Sequence, residues 1–353
     1  MRIAEVSPLF ESVPPKLYGG TERVIAYLTN ELVRQGHEVT LFASGDSVTR
    51  AKLVAPVAES LRLHPRFVDW LPHHLAMLEQ LFRQRDRFDI VHFHIDYLHF
   101  PASRREGITQ VSTLHGRLDL PDLVPLYREF QEMPVISISR SQREPLPWIR
   151  WVGTVHHGLP ADLYRLREQP GRYLAFLGRI SPEKRVDLAI QIAERVGIPL
   201  KIAAKIDKVD REYFEHLKPM FKRPLVEYLG EVGDHEKQEF LGNALALLFP
   251  IDWPEPFGLV MIESMACGTP VIAFRRGSVP ELLQDGVTGF VVDDLSEAVS
   301  AVRRVASLDR KRCRREFEQR FTATRMARDY VSIYSRLLEE RFRPLRIARQ
   351  SVS

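Results

Sequence analysis

Two carboxylates, Glu255 and Glu263, stand eight positions apart in the most chemically suggestive stretch of this chain. The first lies in a turn rich in Trp and Pro, Asp252-Trp253-Pro254-Glu255-Pro256, and the second inside an apolar run that ends at Cys267-Gly268. Gly268 reads as a helix stop and Thr269–Phe274 as the strand that follows. The helix is therefore expected to begin near Phe257. Its free backbone N–H groups, at Phe257, Gly258 and Leu259, would point at whatever Glu255 touches. A helix start favours anions and strong acceptors, while carboxylates accept hydrogen bonds from hydroxyls. The combination suits a polyhydroxyl ligand carrying a diphosphate. A plainer reading is a capped helix with one buried, paired Glu.

Cations for such a ligand stand upstream in Gly178-Arg179-Ile180-Ser181-Pro182-Glu183-Lys184-Arg185. Arg179 and Lys184 flank a turn into a helix and could converge on one anionic group, a guanidinium fork beside a point charge. The alternative is two surface cations around a cap with Glu183 as their partner. Gly19 and Gly20 fall between the first strand and the first helix, where glycine lets backbone approach a ligand closely. The loop lacks G-x-G-x-x-G, which argues against a dinucleotide dehydrogenase. His115, in Ser112-Thr113-Leu114-His115-Gly116-Arg117, closes another strand at its carboxyl edge. His92, His94 and His99 surround Asp96, and His92 and His94 share one strand face. That grouping invites a metal, but none is expected.

These residues need a scaffold, and the hydrophobic pattern supplies one. Arg2–Val6, Glu38–Phe42, Ile90–Phe93, Thr109–Leu114 and Val135–Ser139 read as short buried strands. The amphipathic stretch Thr21–Gln35 between the first two reads as a helix, with Thr21 as its N-cap and Gly36 as its stop. After the Pro- and Arg-rich segment Arg165–Gly171 a second series opens. Its strands are expected at Tyr173–Leu177, Leu200–Ala204, Val226–Gly230, Ala246–Phe249, Pro270–Phe274 and Gly289–Val292, with helices at Arg185–Val196, Glu236–Ala244 and Phe257–Ala266. Strand–helix alternation of this kind predicts an α/β fold of two doubly wound, parallel-sheet domains.

In this order, the motifs closely resemble family-4 retaining glycosyltransferases, whose donor motif is Glu, seven residues, Glu. The resemblance implies the GT-B fold, two Rossmann-like domains facing across a cleft. An acceptor-side domain would span 1–165 and a nucleotide-sugar domain 166–327. The last helix, about 328–353, would return to the first domain. It further implies that Glu255 contacts the sugar hydroxyls and Glu263 the ribose. The N–H groups of Phe257, Gly258 and Leu259 would hold sugar and phosphates, and Arg179 and Lys184 the diphosphate. Gly19 and Gly20 would close over the phosphates, and His115 would lie against the transferred sugar, which puts the catalytic region at His115 and Glu255. The family's base-binding loops correspond to Lys205 and Val232, with a surface Lys and a loop Val as the alternatives. Asp96 is the candidate for acceptor hydroxyls. The Gly277-Ser278-Val279-Pro280-Glu281 turn matches a recurrent family turn and reads as structural. Two departures stand out: His157 precedes Gly158 where the family commonly has Asn, and Ala204 stands where Gly is usual, which leaves the base preference open.

A chain of 353 residues, 44% hydrophobic and 27% charged, is that of an ordinary soluble globular protein with core enough for two domains. Cys267 and Cys313 lack metal-like spacing and argue against a disulfide framework, which fits a reducing cytoplasm. No run is long enough to span a membrane, and the opening strand suggests no signal peptide. The net charge is only +4, and no motif for nucleic acid accompanies it. The Arg-rich end (Arg341, Arg343, Arg346, Arg349) leaves weak peripheral membrane contact open, with a solvated basic tail preferred. The expected activity is transfer of a hexose, glucose-type, from a nucleoside diphosphate sugar to an acceptor hydroxyl, without metal or other cofactor. A UDP-sugar is favoured over GDP- or ADP-sugars. The acceptor is a sugar, polysaccharide or lipid-linked molecule; His64–His74 and Asp119–Tyr127 lie on its side. The rivals are a GT-B phosphorylase using phosphate, a sugar-nucleotide epimerase, and a non-catalytic nucleotide-sugar-binding protein.

Overall fold

Short apolar runs such as Ile90–Phe93 and Ala246–Phe249 are buried along their whole length, as strands covered on both faces must be. In the computed structural model, which describes residues 1–16, 19–63 and 68–350, such runs build two parallel sheets. Among the described residues the first sheet has seven strands: β1 (Arg2–Val6), β2 (Glu38–Phe42), β3 (Lys52–Val54), β4 (Ile90–Phe93), β5 (Gln110–Thr113), β6 (Val135–Ser137) and β7 (Trp151–Thr154), in the order β3-β2-β1-β4-β5-β6-β7. The second has six: β8 (Leu174–Arg179), β9 (Leu200–Lys205), β10 (Val226–Gly230), β11 (Ala246–Phe249), β12 (Val271–Phe274) and β13 (Gly289–Val292), in the order β10-β9-β8-β11-β12-β13. Each order reverses once, between β1 and β4 and between β8 and β11. In open parallel sheets ligands bind beyond the strand ends at such a switch point.

The contacts divide the chain into two units. The first holds Met1–Ile138, Arg143–Gly158 and the chain from Ala323 on; the second holds Ser139–Gln142 and Leu159–Thr322. The passage into the second unit falls a few residues before the Pro- and Arg-rich segment. There Leu159 donates its N–H to the Phe321 carbonyl at 2.9 Å and pairs with Thr322.

Two edge strands, β3 and β7, are additional to the sequence expectation. Both are only partly buried, so they lack the apolar run that betrays a central strand. The first helix, Gly20–Arg34, is capped by Gly19 with no side-chain cap, so Thr21 lies inside it rather than at its start. The last helix runs from Ala323 to Gln350 and belongs to the first unit. Its Ile333 lies so close to Gly153 in β7 that a Cβ there would sit 2.5 Å from Ile333 Cδ1. In the second unit Ile190, Ile192, Ile202 and Leu248 pack one core between the sheet and its helices. Each such side chain contributes roughly 1.5–3 kcal/mol by leaving water.

Candidate functional site

Glu255 follows β11, and the helix it introduces spans Leu259–Ala266, two residues later than the apolar pattern suggests. The delay comes from Gly258, which caps the helix in the left-handed region at φ 83°. A neighbouring turn clamps this loop from behind. Ser278 donates its N–H to the Glu255 carbonyl at 3.0 Å and its hydroxyl to the Phe257 carbonyl at 2.7 Å. At Gly277 (φ 52°) a Cβ would lie 2.4 Å from both the nitrogen and the oxygen of Glu255, so only glycine allows that approach. The Gly277–Glu281 turn thus has a visible structural task.

The Glu255 carboxylate is engaged. Lys184 Nζ donates to it, as does Trp253 Nε1 at 2.9 Å. The same ammonium lies 5.4 Å from the Trp253 ring centroid and 5.5 Å from that of Phe249, close enough for cation–π attraction. Arg179, at the end of β8, has other partners. It pairs with Glu183, and its guanidinium lies 3.3 Å from Asp210 and 3.7 Å from Asp207. Burial opposes ionisation of Glu183, but hydrogen bonds from its own backbone, Ser181 and Arg179 hold its carboxyl below the usual range. Burial instead raises Asp210, with Arg179 opposing. Arg179 and Lys184 therefore answer to different carboxylates here, and the sequence alternative in which Glu183 partners a cation holds for Arg179. Lys205, closing β9, reaches Asp207 at 2.9 Å. Val232, half-buried, follows β10.

Glu263 sits inside the helix, 1% exposed. Lys237 donates to its Oε1 at 2.8 Å. Its other oxygen, Oε2, is buried without a hydrogen-bond partner among the described residues. A buried carboxylate oxygen left unmatched is costly, and a ligand hydroxyl would satisfy it.

In the first unit the site residues cluster beyond β1, β4 and β5. Gly19 and Gly20 open the first helix; Leu17 and Tyr18 of the same loop lie outside the described residues, as do residues 64–67 of the His64–His74 stretch. His74 is structural: its Nε2 accepts the Leu9 N–H at 3.1 Å and its Nδ1 bonds the Trp70 carbonyl at 2.8 Å. Asp96 adopts φ 50°, an uncommon conformation for a non-glycine residue, and burial of its carboxyl raises it to about 6, with the His115 backbone N–H opposing.

His115 lies two residues past β5. Its Nε2 is 2.8 Å from His94 Nδ1, and His94 Nε2 is 2.8 Å from a Glu5 carboxylate oxygen. Glu5 also meets His92, whose Nδ1 contacts the Tyr334 hydroxyl at 2.7 Å and whose Nε2 meets the Thr113 hydroxyl at 2.7 Å. Thr113 donates onward to Tyr330 at 3.1 Å. Burial, with neighbouring His92 adding to it, lowers His94 to about 4, and burial holds His115 well below the usual imidazole range. For Glu5 burial acts upward, yet His92 and His94 together bring the carboxyl down to about 2. His157 stacks on His115 with ring centroids 5.4 Å apart.

Glu5, His92 and His94 thus converge as a metal-like trio among the described residues, a different set from the His92, His94, His99 and Asp96 grouping. All four ring nitrogens of His92 and His94 already have hydrogen-bond partners. His99 bonds Ser103 and Ser112 instead, at 2.7 and 2.6 Å. Sequence reasoning missed Glu5, Tyr330 and Tyr334. The one available signal was a charged residue inside the apolar β1.

Known proteins share the family and the fold of this chain. The sequence model of "Glycosyl transferases group 1" matches residues 165–323 and that of "Glycosyltransferase Family 4" matches residues 18–151, together most of the chain. A glycogen synthase of Mycobacterium tuberculosis is 26% identical over 94% of this chain and 95% of its own length. The crystal structure of AviGT4, a glycosyltransferase involved in avilamycin A biosynthesis, is 26% identical, covers 96% of this chain and 98% of its own, and superposes with a TM-score of 0.77. Anabaena HepE, solved with UDP and glucose, shares the fold at a TM-score of 0.74 with 16% identity, over 95% of this chain and 99% of its own. No described helix is long and apolar enough to cross a membrane. Two doubly wound units, the paired Glu motif in the second and both family matches place this chain among the family-4 glycosyltransferases of the GT-B fold.

Proposed function

We propose that this glycosyltransferase moves a glucose-type hexose, with retention of configuration and without a metal, from a nucleoside diphosphate sugar to an acceptor hydroxyl. One observation carries the reading: two carboxylates, Glu255 and Glu263, bracket a helix start at Gly258, and Glu263 keeps one buried oxygen without a partner among the described residues. Glu263 would accept from the ribose, and Glu255 with the N–H groups of Phe257, Gly258 and Leu259 would orient the sugar. Arg179 and Lys184 would leave their carboxylates for the diphosphate, stabilising it most as it departs. Lys205 and Val232 would border the base. Gly19 and Gly20 would serve the phosphates, His115 the transferred sugar, and Asp96 the acceptor hydroxyls. In the reaction the acceptor oxygen bonds to the anomeric carbon as the bond to the diphosphate breaks. The proton passes to the departing phosphate oxygen on the same face. A UDP-sugar with glucose is favoured because a glycogen synthase is among the relatives and a fold neighbour was solved with UDP and glucose.

The test is a thermal-shift screen of the purified protein against UDP, GDP, ADP and their glucose conjugates, with and without Mg²⁺. A ligand that binds only the folded state raises its melting temperature. Stabilisation by UDP that is independent of Mg²⁺ is expected. Stabilisation only by phosphate with a sugar would replace the transferase by a phosphorylase.

A further inference from the structure

His115 ends a line of three hydrogen-bonding groups drawn from three strands or their ends. Glu5 is fully buried in β1, His94 follows β4 and is 2% exposed, and His115 follows β5. An ionised carboxylate can only accept, so the 2.8 Å contact requires His94 to carry its proton on Nε2. A neutral His94 then has an acceptor at Nδ1, and the next 2.8 Å contact requires His115 to be protonated at Nε2. The remaining nitrogen, His115 Nδ1, is left as a bare lone pair. That atom is buried and has no hydrogen-bond partner among the described residues. The low proton affinity of His94 is consistent with a neutral ring in the middle of the line.

We propose that Glu5 and His94 are positioning residues that hold His115 as its Nε2–H tautomer, so that Nδ1 presents an acceptor to a hydroxyl of the sugar substrate. The substrate part rests on the glycosyltransferase reading above; the tautomer part does not. An acceptor that has lost water gains most from an O–H donor, and a hexose offers several. A His115 protonated at Nδ1 would instead present a donor, and the preference for that hydroxyl would weaken.

The experiment uses the full chain with ¹⁵N-labelled histidine. Long-range ¹H–¹⁵N correlation of the imidazole rings reports the tautomer without any turnover. The wild type is expected to show His115 protonated at Nε2. His94→Gln, whose amide can donate to Glu5 while its carbonyl accepts from His115, should keep that form. His94→Phe should release it. Glu5→Gln is nearly isosteric, so it tests the same link should His94→Phe fail to fold: an amide can donate to His94 and reverse the line, so an Nδ1–H form should appear. In steady-state assays with the nucleotide sugar, Glu5→Gln and His94→Phe should lower kcat/KM by about 10- to 100-fold. His94→Gln should recover part of that loss, and UDP should stabilise every variant equally. An unchanged His115 tautomer in both Glu5→Gln and His94→Phe overturns the proposal. So does a changed tautomer with unchanged kcat/KM. If the tautomers behave as expected but the wild type turns over no nucleotide sugar, the proposed function fails and the relay stands.

Discussion

The two units handle polar chemistry in opposite ways. In the first, Glu5, His92, His94, Thr113, Tyr330 and Tyr334 form an almost dry network in which one carboxylate is shared among imidazole and hydroxyl groups. In the second, Arg179 and Lys205 meet carboxylates in partly solvated pairs, while the Lys184–Glu255 and Lys237–Glu263 pairs are largely buried. A dry network resists exchange, because each group left unmatched costs about 1–3 kcal/mol. A wetter pair such as Arg179–Glu183 gives up its partner cheaply, since exposed pairs contribute about 0–1 kcal/mol. The first arrangement fixes geometry; in the proposed reaction the second would keep its cations in place and yield Arg179 to an arriving diphosphate. Preorganisation and exchangeability are thus divided between two parts of one chain.

The sharpest way to break this contrast is to remove a cation from the second unit. Arg179→Ala and Lys184→Ala should each lower kcat/KM by about two orders of magnitude or more, roughly 3 kcal/mol of transition-state stabilisation. Arg179→Ala should move the melting temperature little, because its pair with Glu183 is partly solvated, whereas Lys184→Ala leaves the largely buried Glu255 unpaired and should lower it. Near-normal kcat/KM in both would return these residues to the role of surface cations.

Acid should act on the first unit before the second. His94 has an ordinary value of 6.5 and is lowered to about 4 in the fold, by burial first and by His92 second. Between those values the unfolded chain binds a proton that the folded chain refuses, so stability rises with pH across this window. It is complete above 6.5, and as pH falls towards 4 the loss approaches about 3 kcal/mol. Glu5 acts in the same direction lower down: its contribution is complete above 4.5 and disappears as pH falls through about 2. Calorimetry between pH 7 and 4 should show a steady fall in melting temperature beginning near 6.5. A flat profile down to 4.5 would mean the imidazole network is charged or wet.

The same contrast explains what could be read from sequence. The second unit's site is local: Glu255, the turn, Gly258 and Glu263 fall within one short segment, and Arg179 and Lys184 within another. Turn chemistry and helix stops therefore brought most of it into view. The pairing of those cations was less visible, because Asp207 and Asp210 reach Arg179 from the neighbouring β9 loop. The first unit's network is assembled from β1, the ends of β4 and β5, and a helix more than 300 residues beyond Glu5. No spacing rule links residues so far apart. The fully buried strands were legible, and so was the exposed edge strand β10, whereas the partly buried edges β3 and β7 were missed. Helix starts shifted wherever the backbone turns left-handed, at Gly258 and at Arg185 with φ 52°.

Sharpening the contrast requires a change in the second unit that disturbs geometry rather than charge. Gly277→Ala does so, since its Cβ would meet the Glu255 backbone at 2.4 Å in a left-handed conformation. Strain of about 1–3 kcal/mol is expected, read as a lower urea midpoint at constant slope. Donor KM should rise with it, because Glu255 moves. An unaltered midpoint would mean that the loop yields freely and that Ser278 alone suffices to hold it.

The smallest effect is expected at Glu263, and it separates binding from chemistry. One of its carboxylate oxygens meets Lys237 at 2.8 Å, and the other has no partner among the described residues. If that oxygen accepts a ribose hydroxyl, the contact is equally strong in the ground and transition states, and such uniform binding appears in KM rather than kcat. Glu263→Gln leaves an oxygen for Lys237 and keeps the volume, so packing is nearly conserved. Its donor KM should rise by about tenfold, near 1.4 kcal/mol, with kcat within about twofold. A 2′-deoxyribose donor should suffer less from the substitution than the ribose donor if the 2′-hydroxyl is the partner, and equally if the 3′-hydroxyl is. A fall in kcat at constant KM would move Glu263 from the nucleotide to the reacting centre. The exchangeable character of the second unit would then extend to the chemical step itself.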